Sequence, residues 1–196
     1  MSVHGLNEAD TGAAKQYFFD ANVWLDLFPG TSTRVSKWAT DYSDFLARIQ
    51  RDGGTIIFNV LVLSEYVNRL CRTEHEVYQK LAKKEIKYKD YRRLSQFKDV
   101  SRAAADSAAE IMQLSVLQKE GVFDSDIDIE KCLATFASGD SDINDLFFAD
   151  ICVKNGWSFV TSDFDFISEV SRLEIFSANK DFVRAASRNV HRMRNP

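Results

Sequence analysis

The chain has 196 residues, 45% of them hydrophobic, with a formal net charge of −4. That length fits about one domain with a sizeable core, and the apolar fraction rules against global disorder. The acidic balance argues against a protein that coats nucleic acid non-specifically, but not against a nuclease, whose metal-holding carboxylates count as negative until a cation arrives.

Residues 1–15 read as a loose tail, polar and without the continuous apolar stretch of a signal peptide. An apolar strand at 17–19 ends at Asp20, and residues 22–28 read as a helical turn stopped by Pro29-Gly30. Ser32 or Thr33 is placed to cap a helix over 34–51, with Val35, Trp38, Tyr42, Phe45 and Ile49 at helical spacing and Gly53-Gly54 to end it. Thr55–Phe58 reads as a second strand and 61–72 as the helix after it. This alternation predicts an α/β fold, a three-layer α/β/α sandwich around a mainly parallel twisted sheet.

Residues 73–120 contain no Pro or Gly and read as helices almost throughout. Between 80 and 102, nine basic residues face three acids. Val122-Phe123 reads as a brief strand, Ile129–Phe136 and Ile143–Asn155 as helices, Ser158–Val160 and 173–176 as strands, and 181–191 as a basic amphipathic helix. The organisation expected is a tail over 1–15, then one domain over 16–196 with a helical extension over about 73–140. No segment reaches the roughly 20 apolar residues of a membrane helix, so a soluble, cytoplasmic protein is expected.

Cys71, Cys132 and Cys152 stand singly, as buried thiols in a reducing compartment do. His4, His75 and His191 make no zinc-ligand spacing. The acids are more informative. Asp20 and Asp163 each follow an apolar strand, at the sheet mouth where open α/β folds bind ligands. Glu65 and Asp145 sit near the starts of two helices. Each has an ordinary reading: Asp20 as a helix cap, Glu65 as an exposed carboxylate opposite Leu63, Tyr66, Val67 and Leu70, and Asp142 with Asp145 as a capping pair. If the strands of Asp20 and Asp163 are neighbours, however, their carboxylates repel and a hard divalent cation relieves the repulsion. Asp150 lies five positions beyond Asp145, so it points away from such a site.

In Phe19-Asp20-Ala21-Asn22, Leu63-Ser64-Glu65-Tyr66, Asp145-Leu146-Phe147-Phe148-Ala149 and Val160-Thr161-Ser162-Asp163-Phe164-Asp165, the chain resembles the PIN-domain ribonucleases over roughly residues 16–178. The resemblance implies Mg²⁺- or Mn²⁺-dependent cleavage of RNA. It carries over Asp20, Glu65, Asp145 and Asp163 as the catalytic acids and Asp20, Asp145, Asp163 and Asp165 as metal ligands, supported by Asn22 and Thr161. It also implies a toxin with a protein antitoxin partner, or an enzyme of RNA maturation or decay, and a homodimer. Two features depart from the family pattern: the long helical stretch over 73–140, and Phe147, Phe148 and Asp150 where small residues are usual.

Lys80, Lys83, Lys84 and Lys87 follow i, i+3, i+4, i+7, so they are expected to share one RNA-binding helical face, with Tyr88 and Tyr91 either stacking on bases or turned to the core. Two rivals remain open. One resembles a haloacid-dehalogenase-like phosphatase using Asp20 as nucleophile and Gly139-Asp140-Ser141-Asp142-Ile143-Asn144-Asp145 as its late motif. The other is a catalytically inactive PIN-like binding module.

Overall fold

A computed structural model of the chain describes residues 3–30, 36–123, 126–139 and 142–194. Six strands form one parallel sheet: β1 (Val3–Gly5), β2 (Gln16–Phe19), β3 (Thr55–Phe58), β4 (Leu117–Lys119), β5 (Ser158–Val160) and β6 (Ile175–Ser177), in spatial order β1-β6-β5-β2-β3-β4. The helices are α1 (Ala21–Leu27), α2 (Ala39–Asp52), α3 (Val60–Ala82), α4 (Tyr88–Tyr91), α5 (Gln96–Met112), α6 (Ile129–Phe136), α7 (Ile143–Asn155) and α8 (Lys180–Arg194).

The central strands are apolar at almost every position because both faces are covered, as parallel sheets require. Adjacent side chains of β2 show the layering. Phe18 packs on Phe148 of α7, with ring centroids 5.3 Å apart, while Phe19 turns to the other face and meets Trp24 of α1 at 5.3 Å and Phe45 of α2 at 5.9 Å. Phe148 thus fills a position where the family pattern has a small residue. This is the α/β/α sandwich expected from the sequence.

The chain leaves β2 towards β3 and β4 on one side, then returns to β5 on the other. The strand order therefore switches direction between β2 and β5, the place beyond the strand ends where open α/β sheets bind their ligands. Phe19 is in register with Val160, and the Asp20 N–H donates to the Val160 carbonyl at 3.0 Å. The residues that follow, Asp20 and Thr161, consequently emerge side by side.

Several boundaries differ from expectation. Of the expected loose tail over 1–15, the described residues 3–15 are ordered into the fold: Val3–Gly5 adds the edge strand β1 beside β6, a 3-10 turn follows over Leu6–Glu8, and Arg48 holds the segment by donating to the Leu6 and Ala9 carbonyls. The stretch over 73–120 is helical over most of its length, as expected, but it divides into α3, α4 and α5 and ends in a strand. α3 ends at Ala82, Lys83 takes a left-handed conformation at φ 48°, and β4 pairs with β3 as the other edge. That strand lies at Leu117–Lys119 rather than at Val122-Phe123. α2 starts at Ala39, and the caps expected at Ser32 or Thr33, like Val35 of the apolar stripe, lie outside the described residues. All three cysteines are buried and free. No helix among the described residues is long and apolar enough to cross a membrane.

Candidate active site

The mouth between β2 and β5 is organised by one hydroxyl. Thr161 is fully buried and its Oγ1 accepts from Asn22 Nδ2 at 3.1 Å and from the Asp163 N–H at 3.0 Å. A hydroxyl has two acceptor sites and one proton. With both acceptor sites filled, the proton is directed to Asp20 Oδ2, 2.8 Å away. Asn22 is oriented in turn, because its Oδ1 accepts from the Ser162 N–H at 3.4 Å.

Asp20 occupies the N-cap position of α1, yet its side chain makes no capping bond. The ordinary reading of this residue therefore fails. Asp20 spends its one described side-chain hydrogen bond on Thr161 and is only 2% exposed. At α7 the two acids divide the roles. Asp142 is the cap and accepts from the Asn144 N–H at 2.8 Å, which leaves Asp145 in the first turn without that task.

Glu65 is also not the exposed carboxylate that its helix pattern suggests. Its side chain is 11% exposed and pairs with Arg69 at 2.9 Å, while Oε2 is buried with no hydrogen-bond partner among the described residues. Asp163 accepts from the Asp165 N–H at 3.0 Å, which fixes the turn after β5. The Asp165 side chain is exposed, and its backbone N–H is the donor in that bond. Asp150 lies elsewhere, as its helical offset indicates: it accepts from the Asp128 N–H and pairs with Arg172 and Lys154.

Asp20, Glu65 and Asp145 lie in one electrostatic field, to which the charge of Asp163 contributes. Burial pushes the Asp20 carboxyl up to about 7; the Thr161 hydrogen bond opposes this, and the charges of Glu65 and Asp163 add to it. Burial, then the charges of Asp20, Asp142, Asp163 and Glu65, push Asp145 up to about 8. Glu65 is raised by burial and by Asp142 and Asp163, with Arg69 opposing. Burial and neighbouring negative charge oppose ionisation of Asp20, Glu65 and Asp145, and a bound cation would relieve both.

The donor set fits a hard divalent cation: several carboxylates, no thiol or imidazole, and one buried orphan oxygen on Glu65. Among the described residues no three His, Cys, Asp or Glu side chains are already closed around a point that could hold an ion. The acids thus share a mouth rather than a preformed cage, and a cation would draw them inward. They line neither of two hollows found among the described residues. One, of about 540 Å³, lies between the first 3-10 turn, α2 and the start of α8. The other, of about 470 Å³, reaches the site at Asn22 and Ser162.

The PIN-domain family model matches residues 17–173, a span that holds all four acids in order. The chain belongs to the PIN-domain family. PIN domains are generally nucleases, and their usual cofactor is a divalent metal ion. No curated protein matches the chain. Among solved structures it is similar to VapBC2 from Rickettsia felis, determined with a DNA fragment from its promoter, at 15% identity and TM-score 0.49, covering 83% of this chain and 98% of that one. It is also similar to PAE2754 from Pyrobaculum aerophilum, at 14% identity and TM-score 0.46, covering 95% of this chain and 99% of that one. The phosphatase reading gives way to this family assignment, and its Asp140 and Ser141 lie outside the described residues.

The structure corrects one site expectation. Lys80 ends its run inside α3, whereas Lys83, Lys84 and Lys87 follow the left-handed break, so the four share no helical face although all are exposed. Tyr91 is buried, and Tyr88 packs against Phe97 and His75, so neither ring is presented as a stacking platform. Sequence reasoning passed over Arg69. The Glu65–Arg69 spacing of i, i+4, a helical ion-pair spacing, was the signal that could have found it.

Proposed function

We propose that the protein is a Mg²⁺- or Mn²⁺-dependent endoribonuclease whose acids are Asp20, Glu65, Asp145 and Asp163. The observation that supports this reading is that burial, with the charges of neighbouring acids including Asp163, raises the pKa of Asp20, Glu65 and Asp145 beside the β2/β5 switch point. One or two ions, held by Asp20, Asp145 and Asp163, would supply activation of the attacking water and neutralisation of charge on the scissile phosphate. Thr161 keeps Asp20 aimed at the mouth, and Asn22 keeps Thr161 in its rotamer. Glu65, tethered by Arg69 and with Oε2 unpartnered, orients the water for in-line attack. Asp165 holds Asp163 in position through its backbone N–H.

RNA reaches a negative mouth by way of local positive charge, which the exposed Lys80, Lys83, Lys84 and Lys87 supply as a cluster rather than a stripe. The biological setting we propose is the toxin of a toxin–antitoxin pair. A partner could silence the acids by inserting a basic side chain among them, as Arg69 already does for Glu65 within the chain.

Cleavage of single-stranded RNA is the test, in Mg²⁺, Mn²⁺ or EDTA, with wild type and Asp145→Asn. Activity with either ion and its loss in EDTA and in the variant are expected. Equal cleavage in EDTA would refute the metal mechanism. A folded protein that binds RNA but never cuts it would favour the inactive binding module.

A further inference from the structure

The hollow of about 470 Å³ between α1, the start of α2 and α3 has no role in the chemistry above. Its size falls within the roughly 300–1,000 Å³ of small-ligand pockets. Its lining includes Asn22, Asp26, Lys37, Trp38, Thr73 and Glu74. It meets the acid site at Asn22 and Ser162, so a molecule lying in it runs directly into the β2/β5 mouth.

Two features mark this hollow as more than a gap between helices. Lys37 Nζ sits 4.4 Å from the centroid of the Trp38 ring, and Lys37 is exposed. One indole face is therefore covered by a movable solvent-side chain rather than by packed core. A planar π-system can take that place, leaving the ammonium to meet an anion beside it. The second feature is Glu74, whose Oε1 is buried with no hydrogen-bond partner among the described residues. A buried acceptor left unmet is costly, and an incoming N–H would relieve that cost. A stacking face, an adjacent cation and an acceptor, one step from the acid site, match the base face, the phosphate and the base edge of a nucleotide.

We propose that this hollow is a nucleotide subsite, holding the base next to the scissile phosphate. The base stacks on Trp38, Lys37 pairs with a phosphate, and Glu74 accepts a hydrogen bond from an N–H of the base edge. Bases with an exocyclic amino group are preferred, because NH₂ offers two N–H groups to the Glu74 and Asp26 side, whereas uracil offers a single N3–H flanked by carbonyl oxygens. The assignment rests on the nuclease reading for its ligand, but not for its test.

Calorimetric titration of the four ribonucleoside 5′-monophosphates in EDTA, without any divalent ion, tests it on the full chain. Wild type is expected to bind, with AMP, GMP and CMP ahead of UMP. Trp38→Ala should weaken binding roughly tenfold or more, since base stacking on an aromatic ring is worth about that much, while Trp38→Phe keeps most of it. Glu74→Gln should narrow the preference against UMP. Because Trp38 packs partly on the core, Lys37→Ala provides an independent check: it should weaken monophosphates but not the parent nucleosides. Absence of binding to wild type, or unchanged binding in folded Trp38→Ala and Lys37→Ala, would overturn the subsite. Burial of Trp38 on self-association, seen as a concentration-dependent blue shift of its fluorescence, would mark a protein contact and overturn it too. Cleavage without mononucleotide binding would sink the subsite alone; binding without cleavage would sink the nuclease reading alone.

Discussion

Replacing Asp20 by Asn should make the metal-free protein more stable at high pH and not at low pH. The carboxyl is almost wholly buried and its pKa stands at about 7 rather than the ordinary 3.8. A group whose folded pKa is raised binds its proton more tightly in the folded state. Its stabilising effect is complete below the unfolded value and is lost as pH rises from there through the folded value. At about 1.4 kcal/mol per pH unit, the ionised Asp20 costs on the order of 4 kcal/mol above pH 7. Asn keeps an acceptor oxygen for Thr161 and cannot ionise. Any mismatch from its amide is independent of pH, so the difference between the two proteins should grow by about 4 kcal/mol between pH 4 and pH 8. Urea denaturation in EDTA at a series of pH values measures it. A constant offset between the proteins across that range would refute the claim that burial and neighbouring acids oppose the charge of Asp20.

Three further substitutions separate the parts of the site. Thr161→Val removes the proton donated to Asp20, so it should cost about 1–3 kcal/mol in thermal melts at neutral pH and lower RNA cleavage at least about tenfold, whereas Thr161→Ser should restore both. Arg69→Ala removes the cation that opposes the raised pKa values of Glu65 and Asp20, so the acid limb of the pH–cleavage profile should move to higher pH; an unmoved profile would disconnect Arg69 from the site. Asp150→Ala breaks a charge cluster away from the mouth. Arg172 and Lys154 are 29% and 37% exposed and can reach water, so the loss should be about 1–3 kcal/mol of stability with Mn²⁺ affinity unchanged.

How much of this was legible in the sequence depended on how local the signal was. Asp20 and Asp163 stood out because a two-face-buried strand is a short apolar run, and the residue after it must lie at the mouth. Glu65 was harder. Its environment comes from residues distant in sequence, Asp142 and Asp163, so helical spacing alone pointed to solvent. The edge strands β1 and β4 were missed because three residues such as Val3-His4-Gly5 or Leu117-Gln118-Lys119 carry too little pattern, and their pairing is decided by neighbours far along the chain. The lysine run failed as a helix face for a tertiary reason. Tyr78, Tyr88 and Phe97 gather around Tyr91, and His75 binds the Ile86 carbonyl at 2.7 Å, which turns the chain out of α3 without any Gly or Pro to announce it.

Titration of Mn²⁺ into the full chain, followed by electron paramagnetic resonance at pH 8, asks most directly whether distant carboxylates jointly hold a cation. Wild type should bind saturably, and Asp20→Asn, Asp145→Asn and Asp163→Asn should each weaken binding at least about tenfold, as expected when one of a few charged ligands is lost. Binding that none of the three substitutions alters, or no binding to the folded wild type, would contradict a shared metal site.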